Sequence, residues 1–248
     1  MLDRTQFYRF EDFIRDTSEA LSGDELFRLL QCAVGQYGYD RLIFSAPLDF
    51  DLPDEWRRMG IYSTYPAEWD EEYERRGYAG IDPVLRAAAL RSQAFTWKEL
   101  EHNSIYSDAQ KRFMRIAESD AGLYAGIGAP IHGRRNLQAG VGLASSQPHD
   151  DAEAHRDLIG AFCNQFYVAF KRLYARPGPP VEIRSLSPKE REILTWVAAG
   201  KTDDDIGVIL SISRNTVDTH MRSIFRKLDA RNRVTAVVRA IVDGHIQP

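Results

Sequence analysis

Between residues 210 and 228 the chain carries residue types, at a spacing, that could read DNA. Leu210-Ser211-Ile212-Ser213 has the composition of a tight turn, and apolar residues recur at helical spacing on both sides of it. The helix after the turn would bury Val217, Met221, Ile224, Phe225 and Leu228 against Ile206, Ile209 and Leu210. Its open side would carry Arg214, Asn215, Thr216, Asp218, Thr219, Arg222, Arg226 and Lys227. Two short helices joined in this way form a helix-turn-helix whose second helix enters the major groove, so the pattern predicts duplex DNA as a partner.

Within this helix, Arg222 is the residue best suited to read a base. A guanidinium can donate two parallel hydrogen bonds to O6 and N7 of guanine, and the methyl group of Thr219 could contact the methyl group of thymine. Basic residues later on such a helix, here Arg226 and Lys227, meet phosphates. Any one arginine could equally be a solvated surface charge, so it is the combination of turn, caps and spacing that favours DNA.

A second group of residues, between 65 and 126, combines aromatic rings with carboxylates, among them Asp82. Tyr65-Pro-Ala-Glu-Trp69-Asp-Glu-Glu-Tyr73 is followed by Ile81-Asp82-Pro83, by Trp97 and by Gly126. A few polar anchors in an apolar setting suit a small-molecule pocket. Ordinary core packing is the alternative for the rings. For Asp82 a helix cap before Pro83 is an alternative that is compatible with binding.

The charge and the proline content divide the chain. The formal net charge of the 248 residues is −4, with 21 basic and 27 acidic residues in 1–180 and 11 basic and 9 acidic residues in 181–248. Between these parts, Ala175-Arg-Pro-Gly-Pro-Pro180 cannot continue a helix. We therefore predict a first domain over 1–174, a linker over 175–185 and a second domain over 186–248. The modest positive charge of the second domain predicts weak non-specific DNA binding by one copy, so a dimer would be needed.

The first domain mixes helical and strand patterns. Apolar residues at helical spacing indicate helices near 7–21, 25–37, 83–90, 107–119 and 150–174. Short β-prone runs indicate strands over 41–45, 61–65, 123–131 and 137–144, and the last two read as a hairpin around 133–136. Helices before, between and after a small antiparallel sheet predict an α+β fold arranged as an α/β/α sandwich.

The second domain is expected to be all-α, a four-helix helix-turn-helix domain. Ser187-Pro-Lys-Glu190 is a capping box, Gly200 ends that helix, and Thr202 and Ser213 cap the next two. The fourth helix carries one apolar face, made of Val234, Val237, Val238 and Ile241. That face and the long helix 150–173 are candidate dimer seams, and packing within the chain is an equally good alternative for both.

The cysteines and the termini favour a soluble, reduced setting. Cys32 and Cys163 are far apart in apolar helical contexts, which predicts buried reduced thiols and no metal site. The acidic N-terminus does not have the pattern of a signal peptide. No apolar run approaches the ~18 residues of a membrane span. We therefore expect a cytoplasmic protein without a membrane partner.

Motifs of catalysis are weak in this sequence. His149 and His155 are six residues apart, so on a helix they would face different sides, and Asp150 or Asp151 is better explained as the helix cap. The glycines near 122–128 open a strand and have the wrong spacing for a phosphate loop, and there is no Gly-x-Ser-x-Gly motif. We expect no enzyme activity, no metal and no cofactor.

The second domain closely resembles the LuxR-type DNA-binding domain of bacterial regulators. The resemblance rests on Glu190, Leu194, the Gly-Lys-Thr at 200–202, Thr216-Val-Asp-Thr-His220 and Ile224-Phe-Arg-Lys-Leu228. The chain departs from the family at Asp218, where many relatives carry a basic residue or asparagine. A carboxylate there cannot bind phosphate, but it could accept a hydrogen bond from a cytosine amine or orient a neighbouring arginine.

The first domain resembles the autoinducer-binding domain of quorum-sensing LuxR-type regulators. All six hallmark pocket positions of that family match, and they are Trp69, Tyr73, Asp82, Pro83, Trp97 and Gly126. The resemblance covers nearly the whole chain. It implies an N-acyl-homoserine lactone as ligand, a homodimer on a dyad-symmetric operator, and RNA polymerase as a further partner. A LuxR-type regulator of a different small molecule, or a repressor released by its ligand, is the alternative.

Such a ligand suggests roles for the polar anchors. Asp82 would accept a hydrogen bond from the amide N–H, Trp69 would donate to the lactone carbonyl, and Tyr65 would donate to the acyl carbonyl. Tyr73 and Trp97 would form aromatic walls. An empty pocket would leave Asp82 and Trp69 without partners, which is costly in a low-dielectric site. Ligand binding should therefore shift the chain towards a folded, dimer-competent form.

Two glycines, Gly128 and Gly142, would lie on the strands that floor the pocket in relatives. Relatives often carry Ser or Thr where Gly142 falls. The missing hydroxyl would remove one hydrogen bond to the acyl group and add space, so we expect tolerance of a bulky, branched or aromatic acyl group.

Overall fold

A computed structural model describes residues 7–49, 51–101, 106–133, 137–148, 152–175 and 186–246. The chain separates into two compact units, whose main parts are Met1–His132 with Leu137–Arg176 and Pro177–Pro248. The division falls inside the predicted linker, most of which lies outside the described residues, as do the predicted cap at 150 or 151 and the tip of the predicted hairpin at 134–136.

The first unit is built on a five-stranded sheet in which all neighbouring strands are antiparallel. Its strands are β1 (Arg41–Leu48), β2 (Tyr62–Ser63), β3 (Phe95–Thr96), β4 (Tyr124–His132) and β5 (Gln138–Ser145), in the order β2-β1-β5-β4-β3. The predicted strand at 61–65 is reduced to two paired residues, because Pro66 opens a helix directly afterwards. β3 was not predicted, since two residues are too few to show an alternating pattern.

Helices cover both faces of this sheet, which confirms the predicted α/β/α sandwich. They are α1 (Phe10–Glu19), α2 (Gly23–Gly35), α3 (Ala67–Arg76), α4 (Pro83–Leu90), α5 (Trp97–Glu101), α6 (Asp108–Ala121) and α7 (Ala152–Tyr174). On one face, α1, α2 and α7 enclose a dense aromatic core that includes Phe44, Phe162 and Phe166. On the other face, α3 to α6 enclose a separate, smaller cluster that includes Trp69 and Trp97.

Side-chain caps fix where several of these helices begin. Ser22 accepts a hydrogen bond from the backbone N–H of Glu25 and starts α2, and Asp82 accepts from the first turn of α4. In α6, Ser107 and Gln110 form a reciprocal capping box. α3 was not predicted as a helix, because its exposed face is almost entirely charged and its mean hydropathy is low.

The second unit is all-helical, as predicted. Its helices are α8 (Pro188–Ala198), α9 (Asp203–Leu210), α10 (Arg214–Lys227) and α11 (Arg233–Val242). Ser187, Thr202 and Ser213 cap α8, α9 and α10 as expected, and Asn232 caps α11. Gly200 follows α8 with a left-handed φ of 78°, a conformation that glycine adopts without strain.

The apolar face of α11, left open between a dimer seam and packing within the chain, is divided: Val237 packs against the core of its unit, whereas Val234 and Val238 are 72% and 53% exposed. Two other packing expectations are wrong in detail. Ile206 and Ile209 were both expected to pack under α10. Ile206 is buried there, whereas Ile209 is 41% exposed. Cys32 is exposed rather than buried, while burial raises the pKa of the Cys163 thiol.

Candidate ligand cavity and DNA-reading helix

A cavity of about 520 Å³ lies between the sheet and helices α3, α4 and α6. Its floor is made by cavity-facing residues of β1, β4 and β5, where Gly128, Gly140 and Gly142 replace side chains with bare backbone. The same strands turn Ile127, Val141 and Leu143 towards the aromatic core on the opposite face. The period of two along a strand therefore divides one sheet into a filled side and a hollow side.

Six of the eight predicted ligand-binding residues line this cavity. They are Tyr65, Trp69, Tyr73, Asp82, Trp97 and Gly142. The other two, Pro83 and Gly126, lie just behind the wall and determine where lining residues stand. Pro83 occupies the first turn of α4 and so fixes the helix that Asp82 caps.

Asp82 has two roles at once. One carboxylate oxygen, Oδ1, accepts the backbone N–H of Val84 at 2.7 Å, and the other, Oδ2, accepts the hydroxyl of Tyr73 at 2.8 Å. Burial raises the pKa of this carboxyl, and the hydrogen bonds from Tyr73 and the α4 backbone oppose that rise only in part. The expectation that an empty pocket leaves Asp82 without partners is therefore wrong. Oδ1 also accepts the N–H of Leu85 at 3.4 Å, so Oδ2 is the oxygen with a second lone pair for a donor from the cavity.

Tyr65 and Trp69 bring donors to the same wall from the start of α3. Burial, followed by the nearby charges of Asp82 and Asp70, raises the pKa of Tyr65, so its hydroxyl keeps its proton and can donate. Trp69 is only 5% exposed and stacks on Tyr78 with ring centroids 5.8 Å apart. This packing holds the indole in one orientation at the cavity wall.

Glycine is required at two positions of β4 because aromatic rings rest on the backbone there. A Cβ at Gly126 would lie 2.1 Å from the indole of Trp97, and a Cβ at Gly128 would lie 2.3 Å from the ring of Phe95. Only a residue without a side chain allows this approach. The indole Nε1 of Trp97 is buried without a hydrogen-bond partner among the described residues. Among the described residues that line the cavity, this nitrogen is the fully buried polar atom without a partner.

Gly142 has a different environment. A Cβ there would lie 3.0 Å from Cγ2 of Ile43 and 3.3 Å from the Tyr65 hydroxyl oxygen. The glycine thus lets Tyr65 approach the sheet, and part of the space that a side chain would fill is already used. The room for a large acyl group comes from the rest of the cavity.

The cavity also has lining residues that were not predicted. Apolar walls come from Met59, Phe113 and Met114, and polar atoms come from Arg58 and Gln138. β1 contributes Ile43, Ser45 and Pro47 to the cavity. The loop that holds Arg58 and Met59 could not be assigned to the cavity from the sequence, because a loop has no period.

In the second unit, a close approach of backbone atoms fixes the turn between α9 and α10. A Cβ at Gly207 would lie 2.8 Å from the carbonyl oxygen of Ile212, and the N–H of Ile212 donates to the Gly207 carbonyl at 2.9 Å. Ser211 adopts a left-handed φ of 54° between them. This geometry sets the angle at which α10 leaves the turn.

The predicted DNA-reading residues of α10 are mostly on one open side. Arg214, Asn215, Thr216, Thr219, Arg222 and Arg226 are exposed, and Asp218 is half-buried. Two of the arginines face carboxylates: Arg222 lies 2.7 Å from Asp218, and Arg214 lies 3.4 Å from Asp204. Arg226 forms no ion pair with any residue that the structure describes.

Lys227, by contrast, forms an ion pair within the unit. Its ammonium lies 2.7 Å from Oε2 of Glu190, whose side chain is 4% exposed. Burial alone would raise the pKa of Glu190, but the hydrogen bonds from Lys227, from the Ser187 N–H and from Ser223 outweigh it and bring that pKa to about 2. The pair ties α10 to α8 and engages one of the three N–H donors of the ammonium that was predicted to contact phosphate.

Metal and membrane chemistry find no support in the described ranges. No group of three or more His, Cys, Asp or Glu side chains there is placed to hold a metal ion. None of the helices within those ranges has both the length and the apolar composition needed to cross a bilayer.

Comparisons with known proteins cover both units. Residues 22–170 match the autoinducer binding domain family, and residues 184–240 match the family of bacterial regulatory proteins described as luxR. The chain is 31% identical over 243 residues to the transcriptional activator SolR of Ralstonia solanacearum, covering 96% of this chain and 98% of SolR. It is 31% identical over 235 residues to the quorum sensing-dependent transcriptional regulator RpaR of Rhodopseudomonas palustris, covering 94% and 93%. A crystal structure of Escherichia coli SdiA shares the fold, with a TM-score of 0.60 at 22% identity and coverage of 97% and 100%.

Proposed function

The chain belongs to the LuxR family of bacterial transcriptional regulators that carry an autoinducer-binding domain, and from this we propose that its cavity binds an N-acyl-homoserine lactone. The family makes it a ligand-responsive regulator of quorum sensing and not an enzyme. The proposal includes the identity of the lactone, the residues that bind it and the assembly on DNA. It also includes the domain limits at 1–174 and 186–248.

The observation that carries the proposal is the wall formed by Tyr65, Trp69 and Asp82 in a mostly apolar cavity. A lactone of this class offers an amide N–H and two carbonyl oxygens. Asp82 accepts the N–H in a charge-assisted hydrogen bond, Trp69 donates to the lactone carbonyl, and Tyr65 donates to the acyl carbonyl. Two donors and one acceptor on the protein thus match two acceptors and one donor on the ligand.

The remaining lining residues suit the acyl chain. The cavity of about 520 Å³ lies within the range of about 300–1,000 Å³ found for small-molecule pockets. Each CH₂ of the chain that leaves water for this space contributes about 0.8 kcal/mol. Tyr73 and Trp97 form aromatic walls, while Pro83 and Gly126 hold those walls in place.

The DNA-binding part of the proposal is a homodimer on a dyad-symmetric operator. Two copies of α10 would enter successive major grooves, with Arg222 reading a base and Arg226 contacting phosphate. The exposed face of α11, formed by Val234, Val238 and Ile241, is an apolar seam suited to a second copy. RNA polymerase is the further partner, and the cytoplasm is the compartment in which these partners occur.

Ligand and DNA are coupled through stability. A ligand that binds only the folded first unit stabilises it by RT ln(1 + [L]/Kd), which is about 2.7 kcal/mol at a hundredfold excess over Kd. That energy increases the population able to dimerise and to bind the operator. A repressor released by its ligand would show the opposite dependence of DNA binding on lactone.

The test is to express the full chain with a mixture of N-acyl-homoserine lactones and a monoacylglycerol, purify it, and identify the extracted small molecules by mass spectrometry. We expect one lactone at about one molecule per chain, and tighter operator binding by the loaded protein. Recovery of the monoacylglycerol in preference to every lactone would favour a regulator of another small molecule. Equal operator binding with and without lactone would contradict the coupling.

A further inference from the structure

We propose that Asp218 is a specificity-determining residue of the DNA-reading helix: it holds Arg222 ready to read guanine and weakens binding to DNA that lacks this base. The inference rests on the proposed function in one respect, namely that α10 enters the major groove.

The geometry joins the two side chains on the open face of α10. They are four residues apart, so they are neighbours on one side of the helix. Nη2 of Arg222 lies 2.7 Å from Oδ2 of Asp218, and the two side chains are 77% and 48% exposed. The pair is therefore placed where DNA would approach and not against the body of the unit.

Neighbouring polar groups do not compete for this arginine. The hydroxyl of Thr219 donates to the backbone carbonyl of Asn215 at 2.9 Å, and the hydroxyls of Ser213 and Thr216 share a hydrogen bond of 2.8 Å. Within the described part of the chain, Asp218 is the carboxylate that pairs with Arg222. One residue thus selects the rotamer of the guanidinium.

This selection leaves the arginine able to read a base. A guanidinium has five N–H donors in a rigid fork, and the carboxylate engages only part of them. The remaining donors can bind O6 and N7 of guanine together. Because the side chain is ordered before DNA arrives, less conformational entropy is lost when the correct base is bound.

The same carboxylate discourages the wrong DNA. Non-specific binding depends on the attraction of basic side chains to phosphates. A carboxylate beside Arg222 neutralises its charge at long range and repels phosphates, in contrast to Arg226, which is exposed and forms no ion pair with described residues. The cost of bringing Asp218 near DNA is offset only where guanine accepts the bonds from Arg222.

The experiment uses the full chain loaded with a lactone mixture, and a random-sequence duplex library from which bound DNA is sequenced. In wild type we expect a dyad motif with one guanine in each half-site. The preference for this guanine should disappear in Arg222→Ala. In Asp218→Asn, preference for that guanine should fall about tenfold. Affinity for an alternating A·T duplex should rise, and the slope of log K against log salt should steepen by about 1 per half-site.

Two further variants isolate the pair. Asp204→Asn removes the same charge from a residue of α9 that pairs with Arg214 of α10. This variant should leave the preference for the guanine unchanged. Asp218→Asn in the Arg222→Ala background should have no effect on base preference at that position, because the arginine it positions is absent.

Unchanged guanine preference in Asp218→Asn would overturn the inference. A change at a different base pair from the one controlled by Arg222 would also overturn it, since the carboxylate would then be reading a cytosine amine itself. Failure of the proposed function would look different, because the loaded wild-type protein would select no dyad motif at all.

Discussion

Asp82 in the first unit and Glu190 in the second are both carboxylates withdrawn from water at the start of a helix, but their partners differ in charge. Glu190 lies 2.7 Å from the ammonium of Lys227. Asp82 is bonded to neutral donors, the Tyr73 hydroxyl and backbone N–H groups of α4. Burial acts to raise both pKa values. At Asp82 the effect of burial is the larger one, and the pKa is raised. At Glu190 the hydrogen bonds outweigh burial, and the pKa is lowered to about 2.

This difference separates a structural carboxylate from one that is available to a ligand. A buried carboxylate beside a cation is already compensated, and its removal costs stability. A buried carboxylate with neutral partners gains from any further donor, and the cavity is where such a donor can arrive. Variants of residues in both units test this distinction.

The largest effect should come from Lys227→Met, which leaves Glu190 buried without its cation. We expect the second unit to lose about 3 kcal/mol of stability. The matched control is Lys189→Met, because the pair of Lys189 with Glu192 is also short, at 3.0 Å, but exposed. That control should cost less than about 1 kcal/mol. Hydrogen exchange of peptides from α8 and α10 in the full chain measures both, and equal loss of protection in the two variants would refute the structural role.

Gly126→Ala should produce the next largest effect, in the first unit only. Its Cβ would lie 2.1 Å from the indole of Trp97, so the ring must leave the cavity wall. We expect a loss of about 1–3 kcal/mol together with loss of lactone binding. Gly35→Ala is the control, since a Cβ at that position meets nothing within 4 Å. Thermal unfolding with and without lactone would show the difference, and lactone binding by Gly126→Ala equal to wild type would contradict it.

The two carboxylates should give pH dependences of opposite sign. The folded pKa of Glu190, about 2, is below its ordinary value of 4.5, so its stabilisation is complete above that value and is lost as the pH falls towards 2. The folded pKa of Asp82 is raised, so its ionisation weakens the empty first unit as the pH rises through that pKa. Lactone affinity should change the other way, falling as the pH drops through the raised pKa, because only the ionised form accepts a charge-assisted bond. Calorimetric titrations with lactone at a series of pH values on both sides of the raised pKa of Asp82 test the direction of this change. A lactone affinity that increases towards low pH would contradict it.

The smallest effect should come from Gly142→Ser. The new Cβ would lie 3.3 Å from the Tyr65 hydroxyl oxygen, close enough for modest adjustment without loss of fold. We expect stability within about 1 kcal/mol of wild type and a several-fold shift in preference towards smaller acyl groups. A lactone panel in a reporter strain measures this, and an unchanged preference would show that the floor at 142 does not select the acyl chain.

Local features of the chain were predictable from sequence because their causes are local. The caps at Ser187, Thr202 and Ser213 and the start of α4 at Pro83 follow from side chains that bond to backbone groups within three residues. The pocket positions were identified from their resemblance to the autoinducer-binding family. The division of the sheet into a filled and a hollow face was not predicted.

Features that depend on distant contacts were not predictable. Nothing near Lys227 in sequence shows that Glu190, 37 residues earlier, would bind its ammonium. Likewise, Gly126 and Trp97 reveal their contact only once β4 lies beside β3 and α5. The neutral partners of Asp82 also depend on α3 folding back to bring in Tyr73.

The most direct test of the availability of Asp82 to a ligand is the lactone affinity and the unfolding free energy of Asp82→Asn, measured beside Glu190→Gln. Asparagine can still cap α4 through Oδ1, and its Nδ2 can donate to the Tyr73 hydroxyl oxygen where the carboxylate accepted from it, but it lacks the charge. We expect lactone affinity to fall about 10- to 100-fold in Asp82→Asn, with stability within about 1 kcal/mol of wild type. Glu190→Gln should lose stability and keep its lactone affinity. Wild-type lactone affinity in Asp82→Asn would contradict the account.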